Sequence, residues 1–307
     1  MLYFIVNQTS RSGKGAVIWN ELESYLKKNN IVYKARVAGH KGHATELAAK
    51  ISTLDDEDIR IIVVGGDGTV NEVINGIKDF SKVKIGIIPT GSGNDLARGL
   101  GIKGTHLQQL EKLVKSEHQK VIDLGKVTWN GYEKPRYFAI SSGVGLDAIV
   151  CKKALTSKLK KVLNKLHLGK LTYIILTIQT LFSMDTMEAN VIIDDTTKKS
   201  FHKVIFTAAM NFRAEGGGVP MSPGASPTDG KLSVCNVSGI PKWRTFFVLP
   251  FLVMAKHENF KGVDIRDCKC YEMHMNKPVV LHADGEYLGD VTDVKFECVP
   301  QKLRVID

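Results

Sequence analysis

The chain has 307 residues, 43% hydrophobic and 24% charged, with a formal net charge of +10. This composition excludes a disordered or fibrous chain, and the length suits two domains. The positive balance favours an anionic partner (nucleotide, nucleic acid or acidic membrane) without choosing among them, and five scattered cysteines, Cys151, Cys235, Cys268, Cys270 and Cys298, form no disulfide framework and fit a reducing, cytoplasmic compartment.

In chain order, Met1 to Asn7 has too short an apolar run for a signal peptide and reads as a first strand. It enters the loop Gln8-Thr-Ser-Arg-Ser-Gly-Lys-Gly15, and a helix is predicted over Ala16–Lys28. A strand over Ile31–Ala38 and a helix over Ala44–Ile51 follow. Arg60–Val64 is a buried-strand run that enters Gly65-Gly-Asp-Gly-Thr69, and Val70, Val73, Ile74 and Ile77 form the stripe of an amphipathic helix. Lys84–Ile88 is another strand, entering Pro89-Thr-Gly-Ser-Gly-Asn-Asp95 and the helical Leu96–Leu100. Alternation of this kind implies a mostly parallel sheet with helices on both faces, whose ligands bind at the strand ends.

After about Val121 the pattern turns β-rich. Strand-like runs are Val121–Val127, Arg136–Ser142, Ala189–Ile193, Lys203–Met210, Lys231–Val237, Val279–His282 and Val291–Val299. A helical stretch over about Ala148–Phe182 carries Lys152, Lys153, Lys158, Lys160, Lys161, Lys165 and Lys170 with no acid between the first and last of them, interleaved with leucines. It reads either as a basic amphipathic helix for anionic membranes or as an ordinary solvated helix. Two apolar runs, Leu171–Phe182 and Thr245–Ala255, are too short to span a bilayer and are expected to be core or to wall an apolar ligand. The Cys268-x-Cys270 pair lacks further ligands at zinc spacing and reads as structural.

A glycine loop opening a helix gathers backbone N–H groups at its positive end, which is how phosphate is bound. Three such strand-fed loops in one domain predict a nucleotide phosphate site. The spacing fits neither a Walker P-loop nor a dinucleotide fingerprint. Asp67 and Asp95 would be repulsive beside bare phosphates. Mg²⁺ between them, or a hydroxyl to hold or deprotonate, gives each a purpose; the alternative for Asp67 is capping the helix that follows it. Lys14 and Arg98 could neutralise a transferring phosphoryl group or be solvated surface charges. Asp284-Gly-Glu286 reads on its own as a hairpin turn, which leaves a further role for the carboxylates open. The loop Pro220–Gly230 is a surface connection or a cradle of carbonyls and one Asp for Mg²⁺.

With Gly65-Gly-Asp-Gly-Thr-Val-Asn-Glu72, Pro89-Thr-Gly-Ser-Gly-Asn-Asp-Leu-Ala-Arg98, the Asn7 loop, Ser222–Leu232 and Asp284-Gly-Glu286 in this order, the sequence resembles the diacylglycerol kinase catalytic-domain family over essentially its whole length. That family includes bacterial diacylglycerol kinases and the sphingosine and ceramide kinases. The resemblance implies an α/β plus β fold: an N-terminal phosphofructokinase-like α/β domain, a C-terminal β-sandwich, and ATP in the cleft between them. The expected limits are 1–122, with 291–307 returning to the first domain, and 123–290 for the lipid-substrate domain. Carried over residue by residue, the ATP contacts fall on Asn7, Gln8, Thr9, Ser10, Arg11, Thr45, Gly66, Asp67, Gly68, Thr69, Asn71, Glu72 and Ser92, with Asn94 and Asp95 of the same loop beside them. The magnesium site falls on Ser226, Asp229 and Lys231, the first and last through backbone carbonyls. The proton acceptor falls on Glu286, with Asp284 beside it and Asp67 as the rival. Lys14 and Arg98 complete the candidate catalytic set. The first loop departs from the family's Asn-Pro-x-Ser-Gly, and Ser92 replaces a threonine while keeping its hydroxyl.

The resemblance therefore implies an ATP- and Mg²⁺-dependent kinase acting on a lipid hydroxyl, with diacylglycerol and its product phosphatidic acid leading. Such an enzyme would be cytoplasmic and peripheral to an anionic membrane, and a homodimer is left open. The alternatives are a soluble-substrate kinase of NAD kinase type and a non-catalytic nucleotide-responsive membrane regulator. No nucleic acid is expected, because the basic run lacks arginine and interleaved aromatics and no recognition module is present.

Overall fold

A computed structural model describes residues 1–132, 134–156 and 169–307. The chain forms two compact units, Met1–Asp123 with Pro300–Asp307, and Leu124–Val299.

The first unit is a parallel sheet between helices. Its strands are β1 (Leu2–Val6), β2 (Tyr33–Val37), β3 (Ile59–Gly65) and β4 (Val83–Pro89), in the order β2-β1-β3-β4 and all parallel. The helices are α1 (Ser10–Lys28), α2 (His43–Ser52), α3 (Asp67–Gly76), α4 (Asp95–Gly99) and α5 (His106–Lys115). Phe4, Val6, Ile62 and Val64 present one face of the sheet to Trp19, Leu22 and Leu26 of α1 and to Leu110 and Leu113 of α5. Strand alternation sends Ile5, Ile61 and Val63 to the other face, the side of the α2–α3 pair. α2 and α3 approach closely because Gly76 has no side chain; a Cβ there would lie 2.2 Å from the Thr45 carbonyl oxygen. The sheet gains its last strand from the end of the chain, where Arg304 and Val305 pair in parallel with Lys84 and Ile85.

The second unit is antiparallel and β-sandwich-like. Its strands are β5 (Gln119–Trp129, entering from the first unit), β6 (Arg136–Phe138), β7 (Ser141–Gly145), β8 (Met187–Ile193), β9 (Thr197–Val204), β10 (Phe206–Met210), β11 (Leu232–Val237), β12 (Val263–Cys268), β13 (Cys270–Ala283) and β14 (Glu286–Ile306). They run in the order β12-β11-β10-β7-β13-β14, with the β8–β9 hairpin also on β13 and the β5–β6 pair on β14. Strand β13 serves three neighbours because it is long and bulged: Tyr271–Met275 pair with β8, Leu281–Ala283 with β7, and both stretches with β14. Helices α6 (Leu146–Thr156), α7 (Gly169–Ser183) and α8 (Lys242–Val253) complete the unit. Leu146, Val150, Leu176 and Leu181 pack on Phe206, Ala208, Cys235 and Val237.

Several expectations need correction. Residues 291–299, assigned to the first domain, lie in the second unit, because Val291, Val294 and Phe296 are buried in its core with Tyr271 and Met273. The single strand expected over Arg136–Ser142 is two, β6 and β7, separated at Ala139–Ile140. The run Thr245–Ala255 is mostly neither core nor pocket wall: Phe246, Phe247, Phe251, Val253 and Met254 are exposed. The central part of the lysine-rich stretch, 157–168, lies outside the described residues.

Candidate functional site

In the first unit three loops leave the carboxyl ends of β1, β3 and β4, and the chain ties them together. The Asn7 backbone N–H donates to the Val64 carbonyl at 2.9 Å, and its side-chain Nδ2 donates to Thr69 Oγ1 at 2.9 Å. Asn7 Oδ1 accepts from the Thr9 N–H at 3.1 Å and the Thr9 hydroxyl at 2.8 Å. Ser10 Oγ lies 2.7 Å from Thr90 Oγ1, and the Thr90 N–H donates to Gly65 O at 2.9 Å. The first and third loops are thus each bonded to the second and to one another.

The glycines of these loops are steric requirements. A Cβ on Gly91 would lie 2.7 Å from the Gly66 Cα and 2.8 Å from Asn94 Oδ1; one on Gly15 would lie 2.4 Å from the Asn7 carbonyl oxygen. Within α1, Arg11, Ser12 and Gly13 take left-handed backbone angles, so the regular helix begins after them, close to the predicted Ala16. Two consecutive non-glycine residues there are uncommon and hold this loop in a fixed turn. Asn94 is also left-handed, and its amide closes the third loop by accepting from the Gly91 N–H and donating to the Gly91 carbonyl, at 2.9 and 3.0 Å.

Asp67 does not cap its own helix. Gly66 is the N-cap of α3 and has no side chain to satisfy the first-turn N–H groups. The Asp67 carboxylate instead accepts from the N–H groups of Asp95 and Leu96, at 3.1 and 3.2 Å, so the second loop caps the helix that opens from the third. Asp95 is buried and ion-paired with Arg98, whose other nitrogen donates to Gly93 O at 2.8 Å. The Arg98 guanidinium is turned onto the protein's own loop. Lys14 is exposed at the start of α1, as are Thr9, Arg11 and Ser92, while Gln8 and Gly68 are half-buried. Glu72 accepts from the Gly42 and Ala44 N–H groups at 2.9 and 3.2 Å, and Thr45 Oγ1 donates to the Glu72 carbonyl at 2.9 Å. These two residues join α2 to α3. Asn71 is buried and accepts from Asn75 Nδ2 at 3.2 Å.

In the second unit Asp284 and Gly285 form a two-residue turn between β13 and β14, both with positive φ, as the Asp-Gly pair favours. The Asp284 carboxylate accepts from the N–H groups of Ala139, Ile140 and Ser141, at 2.8, 2.8 and 3.1 Å. It anchors the turn to the β6–β7 connection. Glu286 follows as the first residue of β14, half-buried and paired with Ala283. Ser226, Asp229 and Lys231 share the loop before β11. Asp229 Oδ1 accepts from the Lys231 N–H at 3.0 Å, and Ser226 Oγ lies 3.2 Å from Thr228 Oγ1. The donors of this loop are oxygens, the set a hard cation prefers.

A second acidic group went unseen in the sequence. Among the described residues, Asp147, Glu215 and His282 bring donor atoms within 4.8 Å of one another, as a cation site would require. Their spacing along the chain carries no motif, and only the packing of α6, the β10–β11 loop and β13 joins them. His282 Nε2 lies 3.0 Å from Asp147 Oδ2. Burial pulls the imidazolium of His282 down, but the hydrogen bond to Asp147 and the charges of Asp147, Glu215 and Asp284 outweigh it and push its pKa up to about 9. The Gly285 N–H donates to Nδ1 at 3.3 Å, a bond that favours the neutral ring and opposes this shift. Burial pushes the Cys268 thiol up to about 12, and all five cysteines are free. Cys268 therefore resists the thiolate form that a zinc ligand needs. Among the described residues no helix is long and apolar enough to cross a membrane.

Comparison with known proteins gives the family and the fold. Residues 1–127 match the model of the diacylglycerol kinase catalytic domain, and residues 140–307 match that of the YegS C-terminal NAD kinase beta sandwich-like domain. A Bacillus subtilis protein named "Putative lipid kinase YtlR" is 31% identical over 305 residues, covering 99% of this chain and 98% of that protein. A Bacillus subtilis diacylglycerol kinase is 28% identical over 251 residues, covering 81% and 77%. A crystal structure titled as a "putative diacylglycerol kinase" from Bacillus anthracis str. Sterne has the same fold, with a TM-score of 0.77 at 20% identity over 99% of this chain and 96% of that one. With both units matched in order and a full-length relative above 30% identity, the chain belongs to the diacylglycerol kinase catalytic-domain family of lipid kinases.

Proposed function

We propose that the chain transfers the γ-phosphoryl group of ATP to the hydroxyl of diacylglycerol, giving phosphatidic acid. The observation that carries this reading is the joining of three strand-end loops into one cradle, closed by the Gly66–Gly91 approach. Phosphoryl transfer depends on positioning and charge neutralisation, which loops of this kind supply through backbone N–H groups. Asn7 to Arg11, Gly66 to Thr69, and Ser92 to Asp95 hold the triphosphate, and Lys14 meets its charge. Arg98 acts on the site through Asp95, which it fixes in place. Glu72 and Thr45 hold α2 and α3 in register behind the loops, and Asn71 bonds to Asn75 within α3.

We assign the hydroxyl proton to Glu286, which stands at the family's acceptor position. The Asp67 oxygens accept two backbone N–H groups of the third loop, and Asp284 accepts three of the β6–β7 connection. In this reading Asp67 positions the third loop and Asp284 positions Glu286. Ser226, Asp229 and Lys231 would hold Mg²⁺ through two carbonyls and a carboxylate. Bound there, the cation would supply the positive charge that phosphoryl transfer calls for.

The test is transfer of labelled γ-phosphate from ATP, with Mg²⁺, to diacylglycerol in mixed micelles, with NAD as a parallel acceptor. Labelled phosphatidic acid is expected, and Glu286→Gln should lower turnover at least about a hundredfold with ATP affinity retained. Label entering NAD and no lipid would overturn the lipid acceptor. Wild-type turnover by a folded Glu286→Gln would remove Glu286 from the reaction.

A further inference from the structure

Helix α8 buries little of its apolar surface. Thr245 and Leu252 face the protein, whereas Trp243, Phe246, Phe247, Phe251, Val253 and Met254 are exposed, with Trp243 at 55%, Phe247 at 62% and Val253 at 64% of full exposure. Phe182 at the end of α7, 52% exposed, extends the patch, its ring 6.3 Å from that of Phe246. Contiguous aromatic surface of this kind is rare on a monomer unless something covers it.

The surrounding charge identifies the occupant. From Lys242 to Lys256 the chain carries Lys242, Arg244 and Lys256 and no carboxylate. The Arg244 guanidinium lies 5.3 Å from the Trp243 ring, an aromatic–cation pairing suited to a headgroup layer. A second copy of this chain would set identical positive charges against them, on a molecule whose net charge is already +10. An anionic bilayer offers the complementary arrangement: apolar chains for the rings and negative headgroups for the cations. At 12 residues α8 is about 18 Å long, which suits lying in the interface and is too short to cross it.

We infer that the exposed face of α8, with Phe182 beside it, is the surface by which the chain docks on an anionic lipid bilayer, its rings seated among the acyl chains and Arg244 and Lys256 among the headgroups. The inference rests on the lipid-kinase reading, because a bilayer-resident acceptor gives the chain its reason to dock.

The experiment uses the full chain with vesicles of phosphatidylcholine, alone or mixed with phosphatidylglycerol, and follows co-sedimentation and quenching by brominated lipid. Trp243 is the exposed reporter, since Trp19 is buried and Trp129 half-buried. The mixed vesicles should bind the chain and quench Trp243. Phe247→Ser with Phe251→Ser should weaken that binding at least about tenfold, and Arg244→Glu should erase the preference for phosphatidylglycerol. Phosphoryl transfer is measured in parallel to long-chain diacylglycerol in the vesicles and to a short-chain, monomeric diacylglycerol in solution. The double variant should lose the first and keep the second. Equal vesicle binding by wild type and double variant, with both acceptors phosphorylated, overturns the docking surface and leaves the kinase reading standing. Vesicle binding lost in the double variant, with neither acceptor phosphorylated by wild type, overturns the kinase reading and leaves the surface standing. Self-association abolished by the same substitutions would assign the face to a second copy and overturn the inference.

Discussion

At the scale of single residues, the site depends on atoms that are missing as much as on those present. Gly66 and Gly91 face each other at a separation that no side chain could share. Backbone, unlike a flexible side chain, cannot yield to relieve such a clash, so Gly91→Ala must push the second and third loops apart. ATP affinity is expected to fall at least about tenfold, a difference of about 1.4 kcal/mol, while the circular dichroism of the fold is kept. Gly39→Ala is the control: a Cβ there meets only His43 Nδ1 at 3.8 Å and should leave nucleotide binding unchanged. Equal affinity in the two variants would show that the close approach is not needed to bind nucleotide. The glycine motif was legible in the sequence. That its glycines serve loop-to-loop contact was not, because residues 66 and 91 meet only once β3 and β4 are paired.

At the scale of elements, periodicity located most strands and the helices that follow the loops. It missed α5, although its signal is present: Thr105 and Gln108 form a capping box, the Thr105 hydroxyl accepting from the Gln108 N–H at 3.3 Å and Gln108 Oε1 accepting from the Thr105 N–H at 2.9 Å. The helix brings Leu110 and Leu113 into the core of the first unit. Removing the cap by Thr105→Ala should cost about 1 kcal/mol. It should appear as a lower urea midpoint at unchanged slope, and an unmoved midpoint would mean that packing alone holds α5. Helix α8 failed in the opposite sense. Its apolar sequence suggests burial, yet its rings face outward, because the side it turns to the core carries Thr245, Leu249 and Leu252 instead. Hydrophobicity identifies a face that avoids water without saying whether protein or lipid covers it.

At the scale of the whole molecule, the chain builds its first unit from both ends and its second from the middle. The second unit holds one charged cluster that only its topology assembles. Burial disfavours the His282 imidazolium, but Asp147 and its acidic neighbours raise the folded-state pKa from 6.5 to about 9. The folded state therefore binds this proton more tightly than the unfolded chain. Its stabilising contribution is complete below pH 6.5 and is lost as pH rises through about 9. Urea midpoints of the wild type should fall between about pH 6.5 and about pH 9, and those of His282→Gln should fall less over the same range. Parallel curves for the two proteins would show that His282 does not carry the effect.

The sequence by itself determined the alternation of strands and helices in the first unit up to α4, the three glycine loops and the family to which the chain belongs. Each of these is local, written in residues a few positions apart whose backbone preferences and periodicity act before the chain folds. It also determined the Asp284-Gly285 turn, since this pair favours the left-handed angles a two-residue hairpin needs. Only the tertiary structure decided that Asp67 caps α4 rather than α3, that Arg98 turns onto Asp95, that Asp284 is held by the β6–β7 connection, and that His282 meets Asp147. These are pairings of groups brought together by sheet register and helix packing. A carboxylate takes whichever donors the fold sets within reach, and nothing in its own neighbourhood of sequence names them in advance.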